Sequence, residues 1–315
     1  PMFNCCLINL EDMLKNGTVV NGKMIESPKS FQTACTITTQ IIAQVASGQF
    51  GGQSINGIDR ILAPYVRRSY EKYLSASISE QLDIYGMEKA DMAMAEKVAW
   101  NRTKREIKSG VQTIQYQINT LMTTNGQAPF VTLFMYFDPE SDYAYEASLI
   151  TEEILRQRID GIKNKQGVKV TPAFPKLIYV LDEHNIHKDS PYYYLTRLAA
   201  TCTAKRMYPD YISAKKMKEI YEGNVFSPMG CRSFLSPWKD EEGNYKFDGR
   251  FNMGVVSVNL AQIGILAGHD EDAYFELLNK RLELVKKALL IRYERLKEVT
   301  SDVSPIHWQD GAIAR

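Results

Sequence analysis

Uninterrupted apolar segments alternate with helical patterns along this chain, and this alternation constrains the fold more than any other feature. Residues 129–137 and 176–181 are short apolar runs bounded by polar or turn-forming residues. Longer stretches, such as 91–122 and 271–299, combine charged and apolar residues in the pattern of amphipathic helices. Strands that are apolar on both faces predict an α/β protein with a mostly parallel sheet. That sheet is either covered by helices on both faces or closed into a barrel.

The remaining segments fit the same scheme. Further elements are predicted as strands at 5–10 and 254–260, a hairpin around 16–22, and helices at 30–47, after 58, at 146–163 and at 191–206. A glycine cluster at 48–57 lacks the spacing of a phosphate-binding loop. We therefore expect its glycines to serve close backbone packing.

Composition excludes several classes of protein. The chain has 315 residues and a net charge of +1, so no strong field attracts it to nucleic acid or to an anionic membrane. No segment reaches the roughly 18 consecutive apolar residues of a membrane span, and residues 1–30 do not show a basic region followed by an apolar run. We expect a cytoplasmic protein whose nucleotide ligands, if it has any, are small molecules. The apolar segments at both ends of the chain suggest a piece of a longer polypeptide.

The five cysteines are odd in number, and no two stand in a Cys-x-x-Cys pair. We therefore expect reduced thiols and no metal site among these residues. Cys35 and Cys202 fall on predicted helices, where a free cysteine packs as a small hydrophobic side chain. His184 and His187 lie in a polar stretch, and a surface loop is favoured there over a metal site.

Two other segments hold cysteines that core packing does not explain. Cys231 follows Pro228 and Gly230 in a segment without helical or strand periodicity, so a loop could present its thiol to a pocket. Cys5 and Cys6 are neighbours on a predicted strand and must point to opposite faces. Cys5 shares its face with the polar Asn9, which favours Cys5 as the thiol that faces a pocket.

Several motifs, in order along nearly the whole chain, resemble the anaerobic, class III ribonucleoside-triphosphate reductases. The motifs are MFNC at 2–5, SPKS at 27–30, QIIAQVAS at 40–47, Tyr65-Val66, NTL at 119–121 with NGQ at 125–127, FPKL at 174–177, KRMYPD at 205–210, MGCRSFL at 229–235, and Gly249-Arg250 with Asn252. The resemblance implies that residues 1–315 form the catalytic segment of a ten-stranded α/β barrel. It also implies a central finger loop that carries the radical cysteine, here Cys231.

The resemblance implies a mechanism as well. A glycyl radical, on a residue outside this chain, passes to Cys231, and the resulting thiyl radical removes the ribose 3′-hydrogen. Cys5 gives a proton to the leaving 2′-hydroxyl and takes part in the reduction. Met229 and Asn252 match positions found in relatives that use formate as reductant. Cys6 stands where some relatives carry an apolar residue, so which thiol of the pair acts remains open.

Further ligands and partners follow from the same resemblance. It implies dNTP or ATP effectors bound at a dimer interface, with Glu26, Lys29, Gln40 and Lys72 at the matching positions. It implies a ribonucleoside triphosphate substrate, a homodimer and a radical-SAM activating enzyme. The chain contains no glycyl-radical motif, no four-cysteine zinc site and no N-terminal ATP cone. We therefore expect it to be inactive alone, with zinc and the radical residue in a missing C-terminal segment, supplied in trans if at all.

Two alternatives stay open at this point. The chain could belong to another glycyl-radical enzyme, such as a formate-lyase or a dehydratase, although a Cys-x-Glu signature is absent at the finger loop. It could also be a catalytically silent nucleotide-binding subunit or a decayed gene fragment. Cys5, Cys231 and Asn252 together favour the reductase.

Overall fold

The protein is described by a computed structural model that covers residues 3–85, 91–124, 126, 128–230 and 233–313. The strands are β1 (Cys5–Leu7), β2 (Thr18–Val20), β3 (Lys23–Ile25), β4 (Gln53–Asn56), β5 (Val131–Met135), β6 (Ile162–Lys163), β7 (Lys169–Val170), β8 (Lys176–Leu181), β9 (Asp210–Ser213) and β10 (Arg250–Asn252). The helices are α1 (Leu10–Lys15), α2 (Phe31–Ser47), α3 (Ile58–Tyr85), α4 (Met92–Thr120), α5 (Ala144–Asp160), α6 (Glu183–Ile186), α7 (Tyr193–Arg206), α8 (Ala214–Ile220), α9 (Leu260–Ala267), α10 (Glu271–Lys297) and α11 (Pro305–Trp308).

Six of these strands form the main sheet, in the order β10-β1-β4-β5-β8-β9. The neighbours from β1 to β9 pair in parallel, and β10 pairs with β1 antiparallel. The α/β class with a mostly parallel sheet is therefore confirmed. The six strands are compatible with part of a barrel.

Helices cover one face of this sheet. Side chains that alternate along the central strands, such as Cys6, Ile55, Leu133 and Leu177, enter one large apolar core with the inner faces of α2, α3, α4 and α5. The intervening side chains, such as Cys5 and Leu7, point to the other face. We call this second face the open face. On the open face, Ala214 at the start of α8 packs in a small buried cluster with Phe134, Ile178 and Val180.

Several local predictions are confirmed. Asn21 and Gly22 have positive φ angles of 50° and 69°, and they form the turn of the hairpin β2–β3. Ser30 caps α2 by accepting a hydrogen bond from the backbone of Thr33. Cys35 and Cys202 are buried free thiols on α2 and α7.

Two strand predictions are wrong in position. The first strand ends at Leu7 and α1 begins at Leu10, so the predicted strand 5–10 is too long. Residues 254–259 form no strand, although the sequence is apolar there, and the strand lies instead at β10. Pairing with the exposed edge of β1 explains this shift, because it gives the backbone of 250–252 hydrogen-bond partners.

The helices α9 and α10 pack against each other. No residue of α10 is buried, and large apolar side chains of both helices, including Ile265 and Leu284, are exposed. Across the described part of the chain, no helix has the length and apolar character needed to cross a bilayer.

The close packing of α4 against α2 gives a testable expectation at Gly110. A Cβ atom added there would lie 2.6 Å from the Phe31 ring and 2.9 Å from Cys35 Sγ. Alanine is favoured over glycine in a helix by about 1 kcal/mol, but overpacking a core costs about 1–3 kcal/mol. We expect Gly110→Ala to lower the free energy of unfolding by about 1 kcal/mol, measured by urea denaturation.

Gly264 in α9 provides the matched control. A Cβ atom there would meet no closer atom than a Tyr274 ring carbon at 4.0 Å. Gly264→Ala should therefore raise stability by up to about 1 kcal/mol. Equal effects of the two substitutions would contradict the close contact between α2 and α4.

Candidate functional site

One backbone segment crosses the open face of the sheet. We call residues 226–230 the crossing segment. Its Ser227 N–H donates to Asn56 Oδ1 over 3.0 Å, and its Gly230 N–H donates to Ser54 Oγ over 3.0 Å. The Thr132 hydroxyl donates to the carbonyl oxygen of Gly230. The segment is therefore held against β4 and β5 at both of its ends.

Gly230 brings the crossing segment against the Cys5 thiol. A Cβ atom on Gly230 would lie 2.9 Å from Cys5 Sγ, and one on Gly51 would lie 2.5 Å from it. Gly230 also has a φ of +65°, which side chains disfavour. The close packing predicted for the glycine cluster is confirmed at Gly51, and the Cys5 sulfur lies between two glycines.

Met229, a predicted site residue, is buried with Cys5 and Leu7 in a small apolar cluster on the open face. Its backbone N–H donates to the carbonyl of Ser233 over 2.8 Å, so the chain on either side of residues 231–232 is paired. Cys231, the predicted radical cysteine, lies outside the described residues.

An aromatic stack supports the start of the crossing segment. The Phe226 and Phe247 rings are stacked with their centroids 4.3 Å apart, and Tyr221 and Phe234 also contact Phe226. Phe226 is 1% exposed. These rings fix the point from which the segment enters the open face.

Asn252 lies directly opposite Cys5 in the β1–β10 pair. Its side-chain Oδ1 accepts a hydrogen bond of 2.9 Å from the backbone N–H of Cys5, and its backbone carbonyl accepts from Asn4. Because Oδ1 has this partner, Nδ2 is the group that Asn252 can offer to a ligand, as a hydrogen-bond donor. The structure thus brings together three of the predicted residues, Cys5, Met229 and Asn252.

Cys6 lies on the other face, fully buried in the helix-covered core. Burial strongly raises the pKa of its thiol, and the neighbouring Cys5 raises it further. A thiol in that position contacts apolar side chains and no open space. The geometry favours Cys5 over Cys6 as the thiol available to a ligand.

A buried network behind Cys5 was not predicted. Gln49 donates through Nε2 to the carbonyls of Gly51 and Gly52, and its Oε1 lies 3.2 Å from His307 Nε2. His307 Nδ1 lies 2.7 Å from the Ser304 hydroxyl. Since Gln49 Oε1 is an acceptor, we assign the imidazole proton to Nε2 and the acceptor role to Nδ1.

This network holds the backbone of Gly51 against Cys5. Gln49 and His307 are both 0% exposed. Burial lowers the pKa of His307 from 6.5 to about 4, so the imidazole is neutral at pH 7. No local sequence signal marks this contact, because the two residues are 258 positions apart.

A second unpredicted group lies near the crossing segment. Burial raises the pKa of Asp248 to about 6, and one of its oxygens has no partner among the described residues. The other oxygen lies 3.5 Å from Asn56 Nδ2, at the limit of a hydrogen bond. Asn56 in turn accepts from Ser227, so Asp248 favours the amide orientation that holds the crossing segment.

The four predicted effector residues, Glu26, Lys29, Gln40 and Lys72, are all exposed. Arg68 on α3 donates to the carbonyl of Pro28, which places Lys29 beside α3. Lys72 follows Arg68 by one helical turn and shares its side of α3. No hydrogen bond or ion pair links Glu26 or Gln40 to this pair within the described residues, so the proposed convergence of all four stays a prediction.

The two histidines of the polar stretch lie in and directly after α6. His187 Nε2 is 2.7 Å from Glu183 Oε2 at the surface, and the His184 ring contacts Phe137. Among the described residues, no group of three or more His, Cys, Asp or Glu side chains is arranged to hold a metal ion.

Comparison with known proteins identifies related sequences. The profile of the family described as anaerobic ribonucleoside-triphosphate reductase matches residues 1–315. The anaerobic ribonucleoside-triphosphate reductase of Enterobacteria phage T4 is 42% identical over 318 residues, which cover 99% of this chain and 50% of that protein. The protein of the same name from Escherichia coli K12 is 43% identical over 314 residues, which cover 99% of this chain and 41% of that protein.

A solved structure shows the same fold. The anaerobic ribonucleotide reductase from Thermotoga maritima, in complex with dATP and CTP, superimposes with a TM-score of 0.66 at 16% identity. The match covers 99% of this chain and 48% of that one. The chain thus spans about half the length of the relatives that it matches.

The buried imidazole of His307 predicts a pH dependence of stability. Its folded pKa of about 4 lies below the ordinary value of 6.5, so the unfolded chain binds more protons between these pH values. The stability that His307 contributes is therefore present above pH 6.5 and is lost as the pH falls towards 4. Its loss is at most on the order of 3 kcal/mol.

The measurement is chemical denaturation of the wild type and His307→Gln between pH 4 and pH 7. Asp59 and Asp248, whose pKa values are raised to about 6, change stability with the opposite sign in both proteins and cancel in the difference. The wild type should lose more stability than the variant as the pH falls. Parallel curves would show that His307 is not held neutral.

Proposed function

Since this chain belongs to the anaerobic ribonucleoside-triphosphate reductase family, we propose that it forms the segment in which ribonucleoside triphosphates are reduced to deoxyribonucleoside triphosphates. The observation that carries this proposal is the contact between Cys5 and Gly230, the residue that precedes Cys231. One covalent bond separates Gly230 from the proposed radical cysteine. A second thiol already lies against that glycine.

We assign the radical step to Cys231. A glycyl radical, which no residue of this chain is assigned to carry, would supply the one-electron oxidation of the Cys231 thiol. The close packing of Gly230 against Ser54 and Thr132 suits a radical site, because buried surroundings keep water away from a reactive group. Turnover then requires the radical residue from outside this chain.

We assign proton donation to Cys5. Its sulfur faces the crossing segment, while Cys6 is enclosed in the core. A thiol beside the ribose can protonate the 2′-hydroxyl as it leaves as water. The hydrogen bond from the Cys5 backbone N–H to the Asn252 side-chain Oδ1 fixes β1 relative to Asn252, where the reductant is proposed to bind.

Formate is the proposed reductant. The net reaction replaces the 2′-hydroxyl of the ribose by hydrogen, with formate and one proton as inputs and carbon dioxide and water as products. Asn252 Nδ2 would donate a hydrogen bond to formate or to a substrate hydroxyl. Met229 packs in the same apolar cluster as Cys5 and adds no further thiol to the site.

The remaining partners are proposed from family membership. They are a second copy of the chain, dNTP or ATP effectors, and a radical-SAM activating enzyme. The rest of the reductase, including the zinc site, would complete the enzyme. Cytoplasmic localisation belongs to the same proposal.

Turnover tests the role of the thiols. The chain would be combined with a polypeptide that supplies the radical segment, together with the activating enzyme, and deoxynucleotide formation would be measured. Cys5→Ala should lower the rate at least a hundredfold, because the proton donor is lost. Cys202→Ala, on the outer helix α7, is the matched control and should retain the wild-type rate within a few-fold.

Cys6→Ala decides which thiol of the pair acts. We expect it to cost stability and leave the rate per folded molecule nearly unchanged. If Cys6→Ala abolished turnover and Cys5→Ala did not, the assignment would be reversed. No deoxynucleotide formation by the wild type under these conditions would support the silent nucleotide-binding alternative.

The reductant is tested with two variants of Asn252. Asn252→Asp keeps an oxygen for the backbone of Cys5 but replaces the Nδ2 donor by a second acceptor. Asn252→Leu removes both groups, and loss of the Oδ1 acceptor of the Cys5 N–H costs about 1–3 kcal/mol. Both should sharply reduce release of labelled carbon dioxide from labelled formate, and only Asn252→Leu should also lower stability.

The formate assignment has a clear negative outcome. Full turnover of the wild type with a thioredoxin-like donor and no formate would reject formate as the reductant. The reductase assignment itself would remain.

The effector residues are tested by nucleotide binding. Lys29→Ala should weaken dNTP binding about tenfold, since a lysine ammonium acts as a point-charge partner of phosphate. Lys23→Ala, an exposed lysine on β3, is the control for net charge. Equal dNTP affinities of the two variants, measured by equilibrium dialysis, would remove Lys29 from the site.

A further inference from the structure

Arg250 lies on the open face, next to the residues assigned to chemistry. It pairs with Leu7 in the β1–β10 register, while Asn252 pairs with Cys5. Residues two apart on a strand point to the same face, and directly opposite residues of an antiparallel pair share a face. Arg250 therefore lies on the same face as Asn252, Cys5 and Leu7.

Only part of the Arg250 guanidinium has a hydrogen-bond partner among the described residues. Its Nη2 donates to the backbone carbonyl of Ser236 over 2.9 Å, which directs the side chain towards the chain that follows the crossing segment. Its Nη1 is buried and has no hydrogen-bond partner among the described residues. Burial lowers the pKa of Arg250, and among the described residues no carboxylate offsets this effect.

A buried cationic donor without a partner is unfavourable unless a ligand completes it. A guanidinium remains charged and presents a fork of N–H donors that fits the oxygens of a carboxylate or a phosphate. The ligand that completes Arg250 should therefore be an oxyanion.

We infer that Arg250 binds an oxyanion on the open face, beside Cys5 and Asn252. The inference rests on the proposed function, because formate and the substrate triphosphate are the two oxyanions that such a reductase would bring to this face. Asn252 can donate a hydrogen bond to formate but supplies no charge. Arg250 supplies the positive charge two residues away.

Lys176 is a second cation with the orientation to reach this face. It pairs with Thr132, whose hydroxyl contacts Gly230, but its strand β8 is four positions from β10 in the sheet. At about 4.8 Å between strands, this separation is roughly 19 Å. Lys176 Nζ also lies over the Phe130 ring, 4.8 Å from its centroid. Lys176 is the alternative cation for binding the oxyanion on the open face.

An inward-pointing charge on an edge strand can also serve to prevent strand addition. That role requires no ligand and would not make oxyanion affinity depend on Arg250. Ligand binding therefore distinguishes the two explanations.

The experiment is a binding titration with the chain itself. Formate enriched in ¹³C and inorganic tripolyphosphate are the two probes, followed by ¹³C and ³¹P line broadening respectively. Arg250→Gln should weaken binding of at least one probe tenfold or more, and Arg250→Lys should weaken it less, because the charge is kept and the fork is lost. Arg197→Gln, an exposed arginine on α7, is the control and should bind as the wild type does.

The outcomes separate the ligands and test the inference. A loss confined to formate places the carboxylate at Arg250, and a loss confined to tripolyphosphate places the substrate phosphates there. Equal affinities of wild type and Arg250→Gln for both probes, or a loss in Lys176→Gln alone, would overturn the inference. The titration measures binding, and the turnover assay described above measures activity. If the completed enzyme formed no deoxynucleotide while Arg250→Gln still weakened oxyanion binding, the proposed function would be rejected and the inference would stand.

Discussion

The alternation of side chains along parallel strands is the constraint on which the rest of this structure depends. On β1 it separates Cys6, which packs in the helix-covered core, from Cys5, which faces the open side of the sheet. On β4 it separates Ile55 from Ser54, which binds the backbone of Gly230. One face thereby packs against the helices, and the other carries the residues proposed to act on ligands. A shift of one residue in register would exchange these roles.

The open face depends on glycine as much as on the reactive side chains. Cys5 Sγ occupies space that a Cβ atom on Gly51 or Gly230 would fill. The Gln49–His307 network fixes the backbone of Gly51 from behind, and the hydrogen bonds of Ser54 and Thr132 fix Gly230 from the front. The position of the Cys5 sulfur is therefore set by backbone on both sides.

Much of this arrangement could be predicted from sequence, because its signals are local. The apolar runs that became β5 and β8 and the amphipathic pattern of α2 are contained within single segments. The opposite orientations of Cys5 and Cys6 follow from the geometry of any strand. The family motifs also pointed to Asn252 and Met229, which composition alone does not distinguish.

The parts that sequence did not predict are formed by distant pairing. β9 and β10 are three or four residues long, contain no buried residue, and exist because neighbouring strands supply hydrogen-bond partners. The Gln49–His307 contact joins residues from opposite ends of the chain and leaves no periodic signal. The same holds for the position of Arg250, which depends on the β1–β10 register.

The edge strand β10 consequently connects the thiol with the groups proposed to hold the reductant. Asn252 uses its Oδ1 on the Cys5 backbone, so the orientation of its amide is coupled to the position of β1. An amide held in this way presents Nδ2 with a fixed direction and loses little conformational entropy when a ligand binds. Arg250, one step along the same face, adds charge without disturbing that orientation. The neutral Nδ2 donor of Asn252 beside the thiol and the cationic Arg250 farther along would together attract an anion to the site. This arrangement keeps positive charge away from the Cys5 sulfur. A cation directly against the sulfur would favour the thiolate, whereas the proposed reaction needs the protonated thiol as proton donor.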